Sequence, residues 1–216
     1  VADNIPLLDL IDLINAYAPD FVCINVFSTN LILIKEFVES LDINTHLIVG
    51  GLSTKDLQPK IFSWETRLSI DVVHGDGEKI VLDIVANSVR QKPTVTQENR
   101  RFFTIDMKSE YHVKDISSEK LDRRFFVNEP IVHPFGFKEA AIITSRGCIY
   151  NCAFCAAARS VNGPIGTREK TSESIIKEIK YIKTLYPEIE SIRVLDDLFL
   201  KSKKTIEKAI EVFSCF

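Results

Sequence analysis

The sequence has no run of about 20 consecutive apolar residues, which is the length that a bilayer-spanning helix needs. No basic segment followed by an apolar one lies near its start, so no export signal is visible. The formal net charge is only −3, which gives no general attraction to nucleic acid or to an anionic membrane. These absences predict a cytoplasmic protein without a nucleic-acid or membrane partner.

Cysteine is scarce and unevenly placed. The 216 residues include five cysteines, of which Cys148, Cys152 and Cys155 lie within eight positions while Cys23 and Cys215 are remote. An odd number of cysteines with three crowded together makes a poor disulfide framework. The pattern instead indicates an intracellular metal or redox site.

Short apolar runs alternate with helical periodicity over residues 1–90. Leu7 to Tyr17 carries apolar residues at helical spacing, and Phe21 to Val26 is a short run of strand formers. The alternation continues with the strand runs "HLIVGG" and "SIDVVHG" and with a helix predicted over Glu78 to Arg90. Continuously apolar strands between helices predict an α/β fold with a doubly wound, Rossmann-like parallel sheet.

Each of these strand runs is followed by a loop of small residues, namely "FSTN", "GGLST" and "HGDGE". In open parallel sheets, ligands bind outside the carboxyl ends of the strands, and glycine lets the backbone approach a ligand closely. The alternative is that glycine and serine only make the turns. None of the loops is a dinucleotide fingerprint or a phosphate-binding loop with lysine.

Residues 91–138 break the alternation and are predicted to be a linker. They are polar and contain three prolines. They carry the tetrapeptide Arg-Arg-Phe-Phe twice, at residues 100–103 and 123–126. A basic and aromatic surface of this kind can bind nucleic acid. We favour a packed connection between domains, because arginine stems and phenylalanine rings cover apolar surface well.

Alternation resumes in residues 139–216. A strand over Ala140 to Ser145 leads directly to the crowded cysteines, and a helix is predicted to begin at Thr171. A further strand, Ser191 to Leu195, ends at Asp196 and Asp197 and precedes the last helix.

The three crowded cysteines are four and three residues apart. Thiolates suit zinc, copper(I) or iron–sulfur clusters. Structural zinc takes four ligands, so His133 or Cys215 would have to complete a zinc site. A four-iron cluster held by three cysteines keeps one iron open for a substrate or cofactor. Buried structural thiols are the third alternative.

The motif Cys148-x-x-x-Cys152-x-x-Cys155, with Phe154 before the last cysteine and Ser-Arg-Gly in front, resembles that of radical S-adenosylmethionine (radical SAM) enzymes. The likeness extends over residues 140–216. It implies a 4Fe-4S cluster on the three cysteines and S-adenosylmethionine at the open iron. It also implies reductive cleavage of that cofactor to a 5′-deoxyadenosyl radical, with an electron donor such as flavodoxin or ferredoxin.

The same resemblance implies a S-adenosylmethionine site made by other residues. Phe154 would lie against the adenine, and Arg168 would help to position the cofactor. Asp196 and Asp197 stand where many members have a Gly-Gly-Glu segment, which this sequence lacks. The aspartates could instead cap the following helix, and Arg168 could be a surface residue.

The N-terminal segments "PDFVCINVFST", "LIVGGLST" and "VVHGDGE" resemble the cobalamin (B12)-binding subgroup of that family. The resemblance implies a cobalamin site lined by Ser28, Thr29, Gly50, Gly51, Gly75 and Gly77. None of the four histidines stands where a lower cobalt ligand of this subgroup is expected.

We therefore expect a cobalamin-binding-like α/β domain over residues 1–90, a linker over 91–138, and the start of a partial (β/α) radical SAM barrel over 139–216. A full eightfold barrel takes about 250 residues, so we expect a chain that is incomplete at both ends. The expected function is cobalamin-associated methyl transfer or rearrangement on an unknown small-molecule or natural-product substrate. The alternative is a zinc-stabilised binding module without catalysis.

Overall fold

The computed structural model describes residues 5–125, 129–155, 158 and 165–215. It divides into two compact units, Val1–Val113 and Lys114–Phe216. The described helices are α1 (Leu7–Tyr17), α2 (Leu31–Glu39), α3 (Thr54–Phe62), α4 (Ile80–Val85), α5 (Ser172–Leu185) and α6 (Lys203–Phe213). The described strands are β1 (Phe21–Asn25), β2 (His46–Gly50), β3 (Ser69–Gly75), β4 (Val95–Gln97), β5 (Arg100–Ile105), β6 (Ile131–Val132), β7 (Lys138–Ile142), β8 (Ser145–Arg146), β9 (Arg168–Glu169) and β10 (Ser191–Val194).

The first unit is built on a sheet in the order β1-β2-β3-β5-β4. Strands β1, β2, β3 and β5 are parallel, and β4 runs antiparallel to β5. The inner strands β2 and β3 are buried along most of their length. Side chains alternate between two hydrophobic clusters, with Leu47 and Val49 in one and Ile48 in the other. A strand that is covered on both faces is apolar at most positions, which is why these runs do not alternate regularly with polar residues. The buried Asp71 and His74 of β3 are exceptions that have polar partners.

Strands β4 and β5 lie within the range that the sequence predicted to be a linker, and they belong to the first sheet. Phe102 and Phe103 are buried on opposite sides of β5. The charge of Arg101 is neutralised by two hydrogen bonds of 2.7 and 2.6 Å to Asp71 of β3. Arg100 donates to the carbonyl oxygen of Trp64. A strand with two arginines reads as polar, although both charges have partners within the fold.

The second unit contains a sheet in the order β10-β7-β6. Strands β7 and β10 are parallel, β6 is antiparallel to β7, and α5 connects β7 to β10 in sequence. Helix α5 buries Ile175, Ile179 and Ile182 in the core of this unit. The α/β class and the predominance of parallel strands are confirmed, whereas a partial barrel stays a prediction.

A group of charges lies inside the second unit around Arg123, which is 1% exposed. Its guanidinium donates to Glu129 at 2.6 Å, to the carbonyl oxygen of Ala141 at 2.6 Å and to Glu178 at 3.1 Å. Lys170 also donates to Glu178, at 2.5 Å. Two cations and two carboxylates are thus held together where water is largely excluded.

The short strands β8 and β9 pair antiparallel, with Ser145 opposite Glu169 and Arg146 opposite Arg168. Residues 147–167 therefore leave and re-enter the fold at one place; we call them the cysteine loop. Across the described ranges, no helix combines the length and the apolar character that crossing a membrane requires.

Candidate functional site

The carboxyl ends of β1, β2 and β3 meet at one edge of the first sheet. Asn25 pairs with Gly50 and Val49 pairs with Val72, so the loops that follow these strands leave the sheet side by side. Ser28 and Thr29 are exposed in the first of these loops. The predicted cobalamin residues are therefore gathered at the edge where ligands of open parallel sheets bind.

The four glycines of the predicted cobalamin site differ in whether the backbone conformation and its surroundings require glycine. Gly51 has φ +124°, and a Cβ there would lie 2.5 Å from Asn25 Oδ1 and from the carbonyl oxygen of Val26. Gly75 has φ +104°, and its Cβ would lie 2.3 Å from the carbonyl oxygen of Ile105. The fold itself excludes a side chain at both positions. At Gly50 a Cβ would meet nothing within 4 Å, and at Gly77 only a methyl of Val81 at 3.8 Å. Small size at Gly50 and Gly77 thus leaves open space at this edge.

A buried histidine lies at the same edge of the sheet, at the end of β3. His74 is 2% exposed and ends β3 next to Gly75. Thr54 Oγ1 donates to the carbonyl oxygen of Gly51 at 2.8 Å and lies 3.4 Å from His74 Nδ1. Burial, together with the charge of Lys55, lowers the pKa of His74 below its ordinary value. The imidazole is therefore kept neutral at physiological pH.

Sequence reasoning missed a second buried pair at this edge. Asp76 accepts a hydrogen bond from the backbone N–H of Val113 at 3.0 Å, and its carboxylate lies 3.0 Å from His112 Nδ1. Asp76 and His112 are both buried. No local signal links them, because His112 lies in a polar segment far along the chain from the "HGDGE" loop.

The cysteine loop begins with a glycine that its geometry requires. Gly147 has φ +83°, and a Cβ there would lie 2.7 Å from the carbonyl oxygen of Gly166. The two ends of the loop thus approach so closely that a larger residue at Gly147 would push them apart. Glycine at this position therefore lets the chain turn sharply as it leaves the strand.

Within the loop, two of the three cysteines lie at the ends of one turn. The N–H of Cys155 donates to the carbonyl oxygen of Cys152 at 3.1 Å. The N–H of Tyr150 donates to the sulfur of Cys148 at 3.4 Å. All three thiols are free, Cys152 is exposed, and Cys148 and Cys155 are half-buried. Amide hydrogen bonds to sulfur stabilise thiolate ligands and adjust cluster potential.

The donor set fits an iron–sulfur cluster in chemistry, since three free and accessible thiols lie on one closed loop. The structure does not bring them together as a metal site. Within the described part of the chain, no three His, Cys, Asp or Glu side chains are grouped so that they could hold a metal ion. His133, the predicted zinc alternative, instead stacks on Phe137 with ring centroids 4.2 Å apart and accepts from the N–H of Phe135. Cys215 Sγ contacts the carbonyl oxygen of Glu211 in its own helical turn.

The two aspartates after β10 contact the place where the chain enters the cysteine loop: Asp196 binds residues just before the loop, and Asp197 binds its first residue. Asp196 accepts hydrogen bonds from Thr144 N, Thr144 Oγ1 and Ser145 Oγ at 2.6, 2.5 and 2.8 Å. Asp197 accepts from the N–H of Gly147 at 3.1 Å. Their predicted contact with S-adenosylmethionine stays a prediction, while their contact with the loop is observed.

The remaining predicted residues lie around the same loop. Phe154 is 92% exposed, so its ring is not packed against the described part of the chain and is accessible to a ligand. Arg168 stands in β9, directly opposite Arg146. Glu169, its neighbour, pairs with Lys201 at 2.6 Å. Sequence reasoning missed Glu169 and Lys201, because charged residues in short polar segments carry no distinguishing pattern.

Comparisons with known proteins show what the chain is similar to. No protein-family model matches it. An uncharacterized methyltransferase of Pyrococcus horikoshii is 24% identical over 228 residues, which cover 98% of this chain and 46% of that protein. The apo structure of the cobalamin-dependent S-adenosylmethionine radical enzyme OxsB is similar with a TM-score of 0.64 and 16% identity, over 98% of this chain and 30% of OxsB.

The chain thus spans less than half the length of either protein. At this identity, the likeness to OxsB establishes a shared fold across almost all of the chain. Both similar proteins are named as enzymes, which supports an enzymatic role for the chain in general.

Proposed function

We propose that the chain contributes the cofactor-binding parts of a radical SAM enzyme of the cobalamin-binding subgroup. The observation that carries the proposal is the cysteine loop. Three free cysteines at four-and-three spacing stand on a loop that is closed by the β8–β9 pair. The loop follows β7, one of two adjacent parallel strands, at its carboxyl end.

In this proposal Cys148, Cys152 and Cys155 hold a 4Fe-4S cluster. When bound, such a cluster supplies the electron for reductive cleavage of S-adenosylmethionine. The protein's part is to hold the thiols in place. The N–H of Tyr150 donates to Cys148 Sγ, and the turn from Cys152 to Cys155 fixes the spacing of the other two ligands.

The exposed ring of Phe154 offers a flat apolar surface on which an adenine can stack. Arg168, at the closing pair of the loop, supplies a positive charge for the carboxylate of S-adenosylmethionine. An electron donor such as flavodoxin or ferredoxin is the proposed protein partner. The proposed substrate is a small molecule.

Cobalamin is the second proposed cofactor, at the carboxyl edge of the first sheet. Ser28 and Thr29 are exposed there, and Gly50 and Gly77 leave open space. At the same edge, Gly51 lets the backbone pass close to Val26, and Gly75 lets it pass close to Ile105. The methyltransferase of Pyrococcus horikoshii supports methyl transfer as the proposed reaction class.

The test is anaerobic reconstitution with iron and sulfide, followed by iron and sulfide analysis and by electron paramagnetic resonance of the reduced protein. We expect about four iron atoms per chain, the content of a single 4Fe-4S cluster, and a signal that changes when S-adenosylmethionine is added. A variant with Cys148, Cys152 and Cys155 changed to alanine should bind no cluster. A control with Cys23 and Cys215 changed to alanine should behave as the unmodified chain. Stoichiometric uptake of zinc with no iron would refute the proposal.

A further inference from the structure

The two ends of the cysteine loop are both fastened to one short segment of the second unit. This segment, residues 196–208, runs from the end of β10 into α6. The start of the loop follows β7 and β8, and β9 follows its end. Three separate parts of the chain therefore meet at the base of the loop.

The start of the loop is fastened by carboxylates. Asp196 accepts three hydrogen bonds from Thr144 and Ser145, whose side chains are buried. Asp197 accepts from the N–H of Gly147, the residue directly before the first cysteine. Hydrogen bonds to an ionised carboxylate are about twice as strong as those between neutral groups. These four bonds fix the direction in which the chain enters Cys148.

The end of the loop is fastened by lysines. Glu169 Oε1 lies 2.6 Å from the ammonium of Lys201, and Lys208 lies 3.7 Å from Glu169 Oε2. Lys208 also donates to the carbonyl oxygen of Lys170. The hydrogen bond from Lys201 lowers the pKa of Glu169, so this carboxylate is ionised at neutral pH. The segment thus presents negative charge to one end of the loop and positive charge to the other.

Asp196 and Asp197 are not needed to start the helix that follows them. Helix α6 begins after Ser202, whose side chain accepts from the N–H of Thr205, and Thr205 in turn accepts from the N–H of Ser202. This reciprocal capping box satisfies the helix N-terminus without the aspartates. Capping, the alternative role considered for them, is therefore already performed by Ser202.

The hydrogen bonds of Asp196 also leave it little capacity for a cofactor. A carboxylate offers about four lone-pair sites. Asp196 uses three of them on Thr144 and Ser145. One site is left for a cofactor, and a second contact would have to displace Thr144 or Ser145, both of which are buried.

We propose that Asp196, Asp197, Lys201 and Lys208 are positioning residues, which hold the chain on both sides of the cysteine loop in place for ligand binding by its three cysteines. Asp196 is the principal member, because it makes the largest number of bonds to the residues that lead into the loop. The assignment rests on the proposed function only in taking the ligand of the loop to be an iron–sulfur cluster.

The first measurement is amide hydrogen exchange on the full chain before any iron is added, comparing the unmodified protein with Asp196→Asn. Loss of the charged hydrogen bonds should speed exchange about 10- to 100-fold in peptides that cover residues 144–155. Asp196→Glu should restore slow exchange in part, since it keeps the charge. Glu173→Gln is the matched control, because Glu173 pairs with Lys177 on the exposed face of α5. Unchanged exchange in Asp196→Asn would overturn the proposal whether or not the chain binds iron.

The second measurement is made on the reconstituted protein. Asp196→Asn should hold less iron per chain and give a broadened resonance signal, while Glu173→Gln should match the unmodified protein. A variant that keeps its iron, its signal and its slow exchange but binds S-adenosylmethionine more weakly would show that Asp196 contacts the cofactor, and the positioning role would be wrong. Failure of the unmodified chain to take up iron refutes the proposed function, and the exchange result alone then decides the positioning role.

Discussion

Replacing Arg123 with leucine is the sharpest test of what stabilises the second unit. The side chain is 1% exposed and makes short hydrogen bonds to Glu129, Glu178 and the carbonyl oxygen of Ala141. Leucine fills much of the same volume but offers no donor. The variant therefore leaves two largely buried carboxylates without their shared cation. Glu178 keeps the ammonium of Lys170, and Glu129 keeps only a long hydrogen bond of 3.5 Å from the N–H of Ala141 among the described residues.

The expected loss follows from the cost of an unpaired buried charge. Removing one partner of a buried ion pair costs about 3–5 kcal/mol. With a urea dependence of about 2 kcal/mol/M for a unit of this size, the unfolding midpoint should fall by about 1.5–2.5 M. An effect of this size is a large part of the stability of a small domain, so the second unit of the variant should be near unfolding without denaturant.

The assay is urea unfolding followed by circular dichroism, which reports helices and strands throughout the chain. Trp64, the single tryptophan, is buried in the first unit. Its fluorescence therefore follows the first unit, and we expect its transition to move less than the dichroism transition.

The neighbouring arginine supplies a matched control. The side chain of Arg124 is 77% exposed and pairs with Asp122 at the surface. Surface ion pairs contribute little to stability, so the midpoint of Arg124→Leu should stay close to that of the unmodified chain. Equal losses in the two variants, or no loss in Arg123→Leu, would refute the reasoning that the buried charges stabilise this unit.

Three further predictions concern the first unit. Gly75→Ala should lower the free energy of unfolding by about 1–3 kcal/mol because φ is +104° and the carbonyl oxygen of Ile105 blocks a Cβ, whereas Gly50→Ala should melt close to the unmodified chain; equal melting temperatures would contradict this. Because the pKa of His74 is lowered below 6.5, the unfolded state takes up the proton first as pH falls. Urea midpoints followed by Trp64 fluorescence should therefore fall from pH 7 to pH 5, and less so in His74→Gln. Burial alone would raise the pKa of Asp71, but hydrogen bonds from His46 and Arg101 outweigh it and lower that pKa below 3.8; the stability it contributes should be present above pH 4 and lost at more acidic pH, and acid titrations of Asp71→Asn should lack that part of the loss.

Hydrophobic periodicity predicts a helix or strand correctly where the element depends on its own residues. The helix predicted over Leu7 to Tyr17 is observed with those bounds. The helix predicted to begin at Thr171 is α5, and Thr171 caps it by accepting from the N–H of Ser174. The helix predicted over Glu78 to Arg90 is shorter, since α4 ends at Val85 and Asn87 adopts φ +51°. A left-handed residue directly after a helix is a common stop signal, but asparagine gives it less clearly than glycine does.

Strand β5 shows why composition misleads when charges have partners. The segment Arg100–Ile105 begins with two arginines, and its composition predicts part of a linker. Its place in the sheet depends on Asp71 and on the carbonyl oxygen of Trp64, which are about 30 or more residues away. The second Arg-Arg-Phe-Phe copy shows the same dependence on partners. Arg123 is buried because it pairs with a carboxylate inside the fold, whereas Arg124 pairs at the surface.

In the candidate site, too, local features could be predicted from the sequence and long-range contacts could not. Cysteine spacing and the glycine at position 147 were visible in the sequence, since both are local requirements of a tight loop. The partners of Asp196 were not, because Thr144 and Ser145 lie about 50 residues away and are common at the ends of strands. Whether a strand-end carboxylate faces a ligand or the protein depends on the tertiary contacts of its two oxygens.

The closure of the cysteine loop by β8 and β9 has a consequence for how its length can change. Because the chain departs and returns through one pair of strands, residues added or removed between Gly147 and Gly166 do not alter the register of β7 against β10. Closing a longer segment through the same pair of strands costs little, since each doubling of loop length adds only about 0.6 kcal/mol in closure entropy. One residue inserted into β8 or β9, in contrast, would shift the register in which Arg146 lies opposite Arg168.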